Sequence, residues 1–191
     1  MSTVTVVKKN GNIAIAADTL AKWGSEKNSA KYVVNHEKIL EVGENYIAIT
    51  GPAAGHHALS NYFAKQKGDI RLRTVDEIFA RWKHIHQSLK EDYHLDVKGD
   101  SETSFESSSM DILIANPYGI FAVGSHRDVQ EFSRFYAYGS GNEYALGAMY
   151  VAFENKKFNA EDIARIGVDA AAEFDDATGH PITSYTFKIT T

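Results

Sequence analysis

The sequence predicts an α+β fold in which two antiparallel β-sheets are enclosed between helical layers. Two observations carry this prediction. Apolar residues recur at strand spacing near the start, the middle and the end of the chain, and at helical spacing in two blocks between them. The resulting order of strands, two helices, strands, two helices and a final strand also lacks the regular strand–helix alternation of a doubly wound parallel sheet.

The first predicted element is a β-hairpin over residues 3–8 and 12–17. Both segments are rich in Val, Ile and Ala. Asn10-Gly11 lies between them, and this dipeptide strongly favours a tight hairpin turn. The chain is therefore expected to start as an antiparallel strand pair.

A second strand pair and two helices follow. Residues 38–43 and 46–51 read as strands joined by a short glycine-containing turn. Apolar residues then repeat at helical spacing over 53–65 and 75–89. Thr74 is a plausible N-cap for the second of these helices.

Strands followed by two helices are predicted again in the second half of the chain. The polar stretch 98–109 is predicted to be a loop on the surface or facing a pore, and 110–116 with 119–125 form another hairpin. Further extended structure follows over 130–141, then two helices. Asn159, with Asp162 three residues later, is predicted to open the second helix, and residues 184–190 form the closing strand.

Composition limits the class of protein. A chain of 191 residues with 43% hydrophobic content is expected to form one domain over 1–191. A net charge of −5 provides no basic field for nucleic acid. The absence of cysteine excludes disulfides and thiol chemistry, and neither a signal-peptide pattern nor a membrane-length apolar run is present. A cytoplasmic protein without a membrane partner is expected.

The first residues suggest a chemistry. If Met1 is removed, Ser2 carries a hydroxyl beside a free α-amine whose reference pKa is about 8. Such an amine is a recognised base for activating a hydroxyl nucleophile. The alternative is that Ser2 is an ordinary N-terminal residue, since most N-terminal hydroxyls have no catalytic role.

Three motifs in order resemble a known family. STVTVVKKNGNIAIAAD at the start, GSG at 139–141 and FDDATG at 174–179 together resemble a proteasome β-type subunit and are similar to HslV-like peptidases. The polar insertion and the length look most like the betaproteobacterial proteasome homologues. The resemblance covers nearly the whole chain and implies the four-layer αββα sandwich of N-terminal nucleophile hydrolases.

The resemblance assigns the nucleophile to Ser2. The VKKNG hairpin sets the register, in which Ser2 takes the place of the family's N-terminal threonine. Thr3 falls one position late, and a one-residue slip in a strand directs the side chain to the opposite face. Serine lacks the β-methyl group of threonine, so its hydroxyl is less restricted and slower turnover is expected.

Asp18 and Lys38 match the family's acid and catalytic lysine. An ammonium near the nucleophile favours deprotonation of the hydroxyl, and a carboxylate holds that ammonium in place. Without the family, Asp18 reads as a strand-end turn residue and Lys38 as a solvated lysine. The match of Lys38 requires an insertion after Trp23, and if the insertion is misplaced Lys31 is the alternative.

Four further positions carry implied roles. Gly51 matches the glycine whose N–H faces the attacked carbonyl oxygen. Ser140, Asp175 and Thr178 resemble the groups that surround the terminal amine. Taken by themselves, these positions read as a strand-to-helix turn, a helix entry and a helix exit.

The resemblance also implies an assembly and substrates. It implies a homo-oligomeric double ring of hexamers or heptamers that cleaves unfolded polypeptides, with no metal or organic cofactor and an unspecified ATPase unfoldase. His56, His57, His84 and His86 lack metal-ligand spacing and are expected to lie on helix faces. Two alternatives stay open: a proteasome-like scaffold chamber without activity, and an N-terminal nucleophile amidase acting on small amides.

Overall fold

The computed structural model describes residues 2–96 and 105–190, so the predicted polar loop 98–109 lies outside the described residues as far as position 104. Eleven strands and four helices lie within the described residues. The strands are β1 (Thr3–Lys9), β2 (Asn12–Asp18), β3 (Ala21–Trp23), β4 (Glu26–Asn28), β5 (Ile39–Val42), β6 (Asn45–Thr50), β7 (Asp111–Asn116), β8 (Gly119–Val123), β9 (Val129–Phe132), β10 (Phe135–Gly139) and β11 (Ile182–Lys188). The helices are α1 (Ala53–Ala64), α2 (Val75–Glu91), α3 (Asn142–Phe153) and α4 (Ala160–Phe174).

Two antiparallel sheets form the centre of the fold. One has the strand order β10-β1-β2-β11 and the other β5-β6-β7-β8-β9. Helices α3 and α4 pack on the outer face of the first sheet, and α1 and α2 pack on the outer face of the second. The inner faces meet in a third core, where Val4 and Ile15 share a cluster with Leu113 and Ile120. The predicted four-layer αββα sandwich is confirmed.

The side chains of strand β1 alternate between the core that lies between the sheets and the helical layer. Val4 and Val6 belong to the core between the sheets, whereas Val7 packs against the α3 and α4 layer. Thr5 also points to that layer, since its hydroxyl donates to the Ala164 carbonyl at 2.9 Å. A period of two places Ser2 on the same side of the strand as Val4.

Local sequence signals correctly predicted the starts of helices α2 and α4. The Thr74 hydroxyl accepts a hydrogen bond from the Glu77 N–H at 3.2 Å at the start of α2. At the start of α4, the Asn159 side chain accepts from the Asp162 N–H and the Asp162 carboxylate accepts from the Asn159 N–H, both at 2.9 Å. This capping box satisfies two of the unpaired N–H groups of a helix end.

The structure differs from the sequence prediction in two places. The segment 130–141, predicted only as extended structure, is divided into two strands that belong to opposite sheets, because β9 pairs with β8 and β10 pairs with β1. The β3–β4 hairpin was not predicted, since each strand has only three residues, none of them buried, and no apolar alternation.

The described helices are also informative about membranes. None of the four helices in residues 2–96 and 105–190 is long and apolar enough to cross a bilayer.

The capping box provides a test of the α4 start. We expect Asn159→Ala to lower the free energy of unfolding by about 1 kcal/mol, because the substitution leaves the Asp162 N–H without its side-chain acceptor. Denaturant unfolding of the purified chain measures this, with Lys156→Ala, an exposed residue outside the helix, as the matched control. Equal stability of the two variants would contradict the assigned cap.

Candidate active site

Ser2 lies where two surface cavities meet. It precedes β1 and is 5% exposed. One cavity, of about 400 Å³, extends from Ser2 along residues 19–23 and past Lys38 to the start of α1. The other, of about 410 Å³, is bounded by Ser140 and by residues 109–111. Gly51 lines both cavities, so Ser2 and Gly51 form the shared edge of a groove.

Asp18 is a fully buried carboxylate that accepts four hydrogen bonds. Its Oδ1 accepts from the Thr3 N–H at 3.0 Å and from the Lys38 ammonium at 2.7 Å. Its Oδ2 accepts from the Leu20 N–H at 3.0 Å and from the Gly179 N–H at 3.1 Å. Burial of a charge is tolerated only with such pairing. The predicted strand-end acid therefore anchors the start of β1, the segment after β2, and the segment after α4.

Lys38 is the cation of this pair. Its ammonium donates to Asp18 and, at 2.7 Å, to the Leu20 carbonyl, and its side chain is 15% exposed. Burial lowers the pKa of Lys38, and the neighbouring Asp18 carboxylate partly offsets that effect. Lys31, the alternative, is exposed in the loop after β4. The structure thus brings Lys38, rather than Lys31, to Asp18.

Asp175 lies at the end of a chain of hydroxyl groups. Its Oδ2 accepts from the Ser140 hydroxyl at 2.7 Å and from the Thr178 hydroxyl at 2.6 Å. The Thr178 oxygen is also 2.6 Å from the Thr3 oxygen. Because an ionised carboxylate only accepts, Thr178 donates to Asp175, and the Thr3 hydroxyl must then donate to Thr178.

This chain distinguishes the two candidate nucleophiles. Thr3 is fully buried and its hydroxyl proton is directed to Thr178. Ser2 lines both cavities and points to the opposite side of the strand. Of the two N-terminal hydroxyls, the one at position 2 borders the groove.

Two glycines allow the close approaches around Ser2. Gly139 has φ +108°, and a Cβ there would collide with the Ser2 carbonyl group. Gly51 has φ +125°, and a Cβ there would lie 2.9 Å from the Ser109 carbonyl oxygen. Both positions require glycine for conformation and for space. The Ser2 carbonyl also accepts from the Ser140 N–H at 2.9 Å, which fixes the N-terminal backbone to the end of β10.

Several histidines of the groove were not assigned to it from the sequence. His36, His56 and His57 line the cavity of about 400 Å³. Burial, followed by the proximity of His57, lowers the pKa of His56, so its imidazole is neutral at pH 7. Thr3, the terminal link of the hydroxyl chain, was also missed, although strand alternation alone directs it away from Ser2.

The predicted helix-face histidines divide into two groups. His57 and His84 are exposed on α1 and α2, as expected. His86 is buried at 7% exposure, which is contrary to a surface position, because its imidazole is held by Ser108 and Glu106. Residues 2–96 and 105–190 contain no group of three or more side chains arranged to hold a metal ion.

Solved structures of related proteins resemble the whole chain. BPH of Thiobacillus denitrificans in complex with epoxomicin is 53% identical, with 99% of this chain and 100% of that chain covered and a TM-score of 0.93. The chain belongs to the proteasome β-type and HslV-like peptidase family. Within this family it is similar to the betaproteobacterial proteasome homologues. No protein-family model matches the chain.

Two further structures extend the comparison. A second structure of BPH from Thiobacillus denitrificans is 54% identical over 98% of both chains, with a TM-score of 0.94. HslV from Trypanosoma brucei is 14% identical over 97% of this chain and 99% of that chain, with a TM-score of 0.67. At that identity the likeness shows the shared fold alone. The family and the N-terminal nucleophile hydrolase fold expected from the sequence motifs are both confirmed.

The buried lysine predicts a pH dependence of stability. The folded-state pKa of Lys38 lies below its unfolded value of about 10.5, so between those two values the unfolded chain binds more protons than the folded one, and stability rises with pH. We expect the wild type to gain free energy of unfolding over Lys38→Met in this window, by at most about 1.4 kcal/mol per pH unit. Denaturant unfolding of both proteins at a series of alkaline pH values measures the difference.

The comparison cancels the other titrating groups, because both proteins share them. A stability difference that stays constant up to pH 10.5 would show that the pKa of Lys38 is not lowered. Lys31→Met, which changes an exposed lysine, serves as the matched control for the Lys-to-Met substitution.

Proposed function

We propose that this chain is a subunit of a self-compartmentalising endopeptidase in which the Ser2 hydroxyl, exposed by removal of Met1, attacks the peptide bond. The observation that carries the proposal is that Ser2 borders the groove beside the buried Lys38–Asp18 pair. The Thr3 hydroxyl, in contrast, donates a hydrogen bond to Thr178. Family membership and the epoxomicin complex of a 53% identical relative support it.

The chemistry requires a proton acceptor beside Ser2. The Ser2 oxygen forms a bond to the scissile carbonyl carbon, and its proton passes to the free α-amine of the same residue. The tetrahedral intermediate collapses by breaking the C–N bond, and the leaving amine takes the proton. Water then hydrolyses the ester-linked acyl-enzyme and regenerates the Ser2 hydroxyl and the amine.

Lys38 supports the deprotonated hydroxyl. An ammonium close to a developing alkoxide lowers the free energy of that charge. Asp18 holds the ammonium by a 2.7 Å hydrogen bond, and burial lowers the pKa of Lys38 towards the working pH. In this role Lys38 is an electrostatic partner of Ser2, and Asp18 is the residue that positions it.

Gly51 supplies the oxyanion donor in this proposal. It lines both cavities together with Ser2, so a carbonyl held between them lies beside Gly51. A backbone donor placed where negative charge develops is typically one of the strongest contributors to acyl-transfer catalysis. The left-handed backbone conformation of Gly51 sets the orientation of its own peptide group, and a side chain at this position would disturb that orientation.

The hydroxyl chain serves the amine. Ser140 and Thr178 both donate to Asp175, and the Ser140 N–H holds the Ser2 carbonyl. The carboxylate of Asp175 is also close enough to act on the pKa of Lys38. We assign this group to orienting the terminal residue and to balancing the charge of its protonated amine.

The groove suits an extended polypeptide. The cavity of about 400 Å³ has the apolar side chains Leu20, Ile49 and Ala53 on its walls and Ser2 at its edge. An extended segment of an unfolded polypeptide can place a side chain in such a pocket. Unfolded polypeptides are therefore the proposed substrates, and the unfoldase that supplies them is unspecified.

Exposed apolar side chains support assembly into rings. Tyr150, Val151 and Phe174 of the α3–α4 layer are 72%, 77% and 69% exposed. Tyr32 and Val34, in the loop after β4, are 85% and 96% exposed. Contiguous exposed apolar surface marks association sites, and exposed apolar residues on two separate parts of the chain fit the heterologous contacts of a closed ring. We propose a double ring of hexamers or heptamers.

An α′,β′-epoxyketone peptide tests the nucleophile directly. Such a reagent requires both a hydroxyl and a free terminal amine on one residue. We expect the intact mass of the purified protein to show loss of Met1 and one inhibitor adduct, because Ser2 then carries both groups. Mass spectrometry after incubation measures this, and Ser2→Ala is expected to lose Met1 but form no adduct.

Thr3→Ala is the matched control, since it removes the neighbouring hydroxyl, and it is expected to keep the adduct. Retained Met1 without an adduct would favour the inactive scaffold. Cleavage of small amides without cleavage of any peptide would favour the amidase.

The identity of the nucleophile makes a kinetic prediction. We expect Ser2→Thr to raise kcat for a fluorogenic peptide several-fold, on the order of 2- to 10-fold, because the β-branched side chain restricts the hydroxyl to fewer rotamers. Steady-state kinetics on the assembled protein measure it. A kcat equal to or below that of the wild type would show that the site is shaped for serine.

A further inference from the structure

A half-buried polar cluster ties helix α2 to the segment that precedes β7. The His86 Nδ1 is 2.9 Å from the Ser108 hydroxyl, and the His86 Nε2 is 3.1 Å from the Glu106 carboxylate. Lys90, one turn further along α2, donates to both oxygens of Glu106 at 2.6 and 2.7 Å. Arg127 donates to the Glu106 carbonyl at 2.8 Å. We call His86, Lys90, Glu106 and Ser108 the α2 clasp.

Burial and the neighbouring groups determine the protonation states of His86 and Glu106. The hydrogen bonds from Lys90 and then from His86 lower the pKa of Glu106, so its carboxylate is ionised and only accepts. Burial lowers the pKa of His86, which is therefore neutral at pH 7. The Nε2–H consequently donates to Glu106, and Nδ1 accepts a hydrogen bond from the Ser108 hydroxyl. Ser108 is 3% exposed.

The clasp leads directly to the wall of the groove. The Ser108 N–H donates to the Ser125 carbonyl at 2.7 Å. The next residue, Ser109, is held in the left-handed region at φ +55° and lines the cavity of about 410 Å³ beside Ser2. Its carbonyl oxygen would be only 2.9 Å from a Cβ on Gly51. The backbone of Ser109 thus packs directly against the backbone of Gly51.

We propose that His86 is a positioning residue for the peptidase reaction, which holds the segment 106–110 against Gly51 and thereby sets the direction of the Gly51 N–H. The inference rests on the proposed function, in which that N–H stabilises the oxyanion. Its physical basis is continuity: His86 bonds Ser108, Ser108 precedes Ser109, and Ser109 contacts Gly51. An oxyanion donor displaced by a fraction of an ångström loses much of its effect.

Substitutions of His86 separate the two bonds. His86→Asn places an amide near the position of Nδ1 and keeps a partner for Ser108, whereas His86→Gln reaches the position of Nε2 and keeps a donor for Glu106. His86→Leu keeps the volume and neither bond. His84→Ala, on the same helix but exposed, is the matched control. Each variant is assayed for kcat and KM on a fluorogenic peptide, for thermal unfolding and for assembly size.

We expect His86→Leu to lower kcat by roughly 10-fold with KM changed less than about two-fold, because the donor acts mainly in the transition state. His86→Asn is expected to restore most of kcat, and His84→Ala to match the wild type. Wild-type kcat in His86→Leu overturns the inference. A loss of kcat that Asn fails to rescue, and that follows loss of assembly or of Tm, also overturns it, since a merely structural role would explain that result.

A second measurement does not depend on activity. We expect His86→Leu to speed amide hydrogen exchange in peptides covering 105–112 and 47–54, and His84→Ala to leave both unchanged. Unchanged exchange in both segments overturns the inference even if the wild type shows no peptidase activity, which would refute the proposed function separately. If His86→Leu does not fold, Ser108→Ala, which removes one hydroxyl, is measured in the same way with the same expectations.

Discussion

The four hydrogen bonds of the Asp18 carboxylate are the interaction on which the site depends. A fully buried charge costs several kcal/mol unless its lone pairs are satisfied. Here one cation and three backbone N–H groups satisfy them. Those donors come from the start of β1, the turn after β2, the segment before β5 and the turn after α4, so one carboxylate fixes four distant parts of the chain in one place.

A second carboxylate completes the arrangement with different donors. Asp18 binds N–H groups, whereas Asp175 binds hydroxyls, and Thr3 connects the two because its N–H donates to Asp18 and its hydroxyl to Thr178. The Ser2 carbonyl is held by Ser140 in addition. All three anchors of the chain terminus use groups other than the Ser2 hydroxyl. Ser2 is therefore held by its backbone and by its neighbour, and its hydroxyl takes no part in these three anchors.

Local features of this fold could be predicted from the sequence, and non-local ones could not. The hairpin at Asn10-Gly11 and the caps at Thr74 and Asn159 depend on neighbouring residues, and the structure contains all three. Strand alternation was also sufficient to place Ser2 and Thr3 on opposite faces. Thr178, the partner of Thr3, is 175 residues away. Nothing in the spacing of a single sequence specifies that contact, and the family motif FDDATG was needed to bring the position into consideration.

The same limit explains why the α2 clasp was not found from the sequence. His86 fits the apolar period of α2, so the pattern records its burial but not its partners, which lie beyond the 97–104 segment. The sequence was equally insufficient at Gly51. It predicts a turn there, and only the packing of Ser109 against Gly51 shows why a side chain is excluded. Close backbone packing transmits small displacements, because protein interiors are dense and deform little. In the proposed role of His86, the α1–α2 layer and the groove are connected through the backbone of residues 106–110, and the geometry at Gly51 depends on a side chain of helix α2.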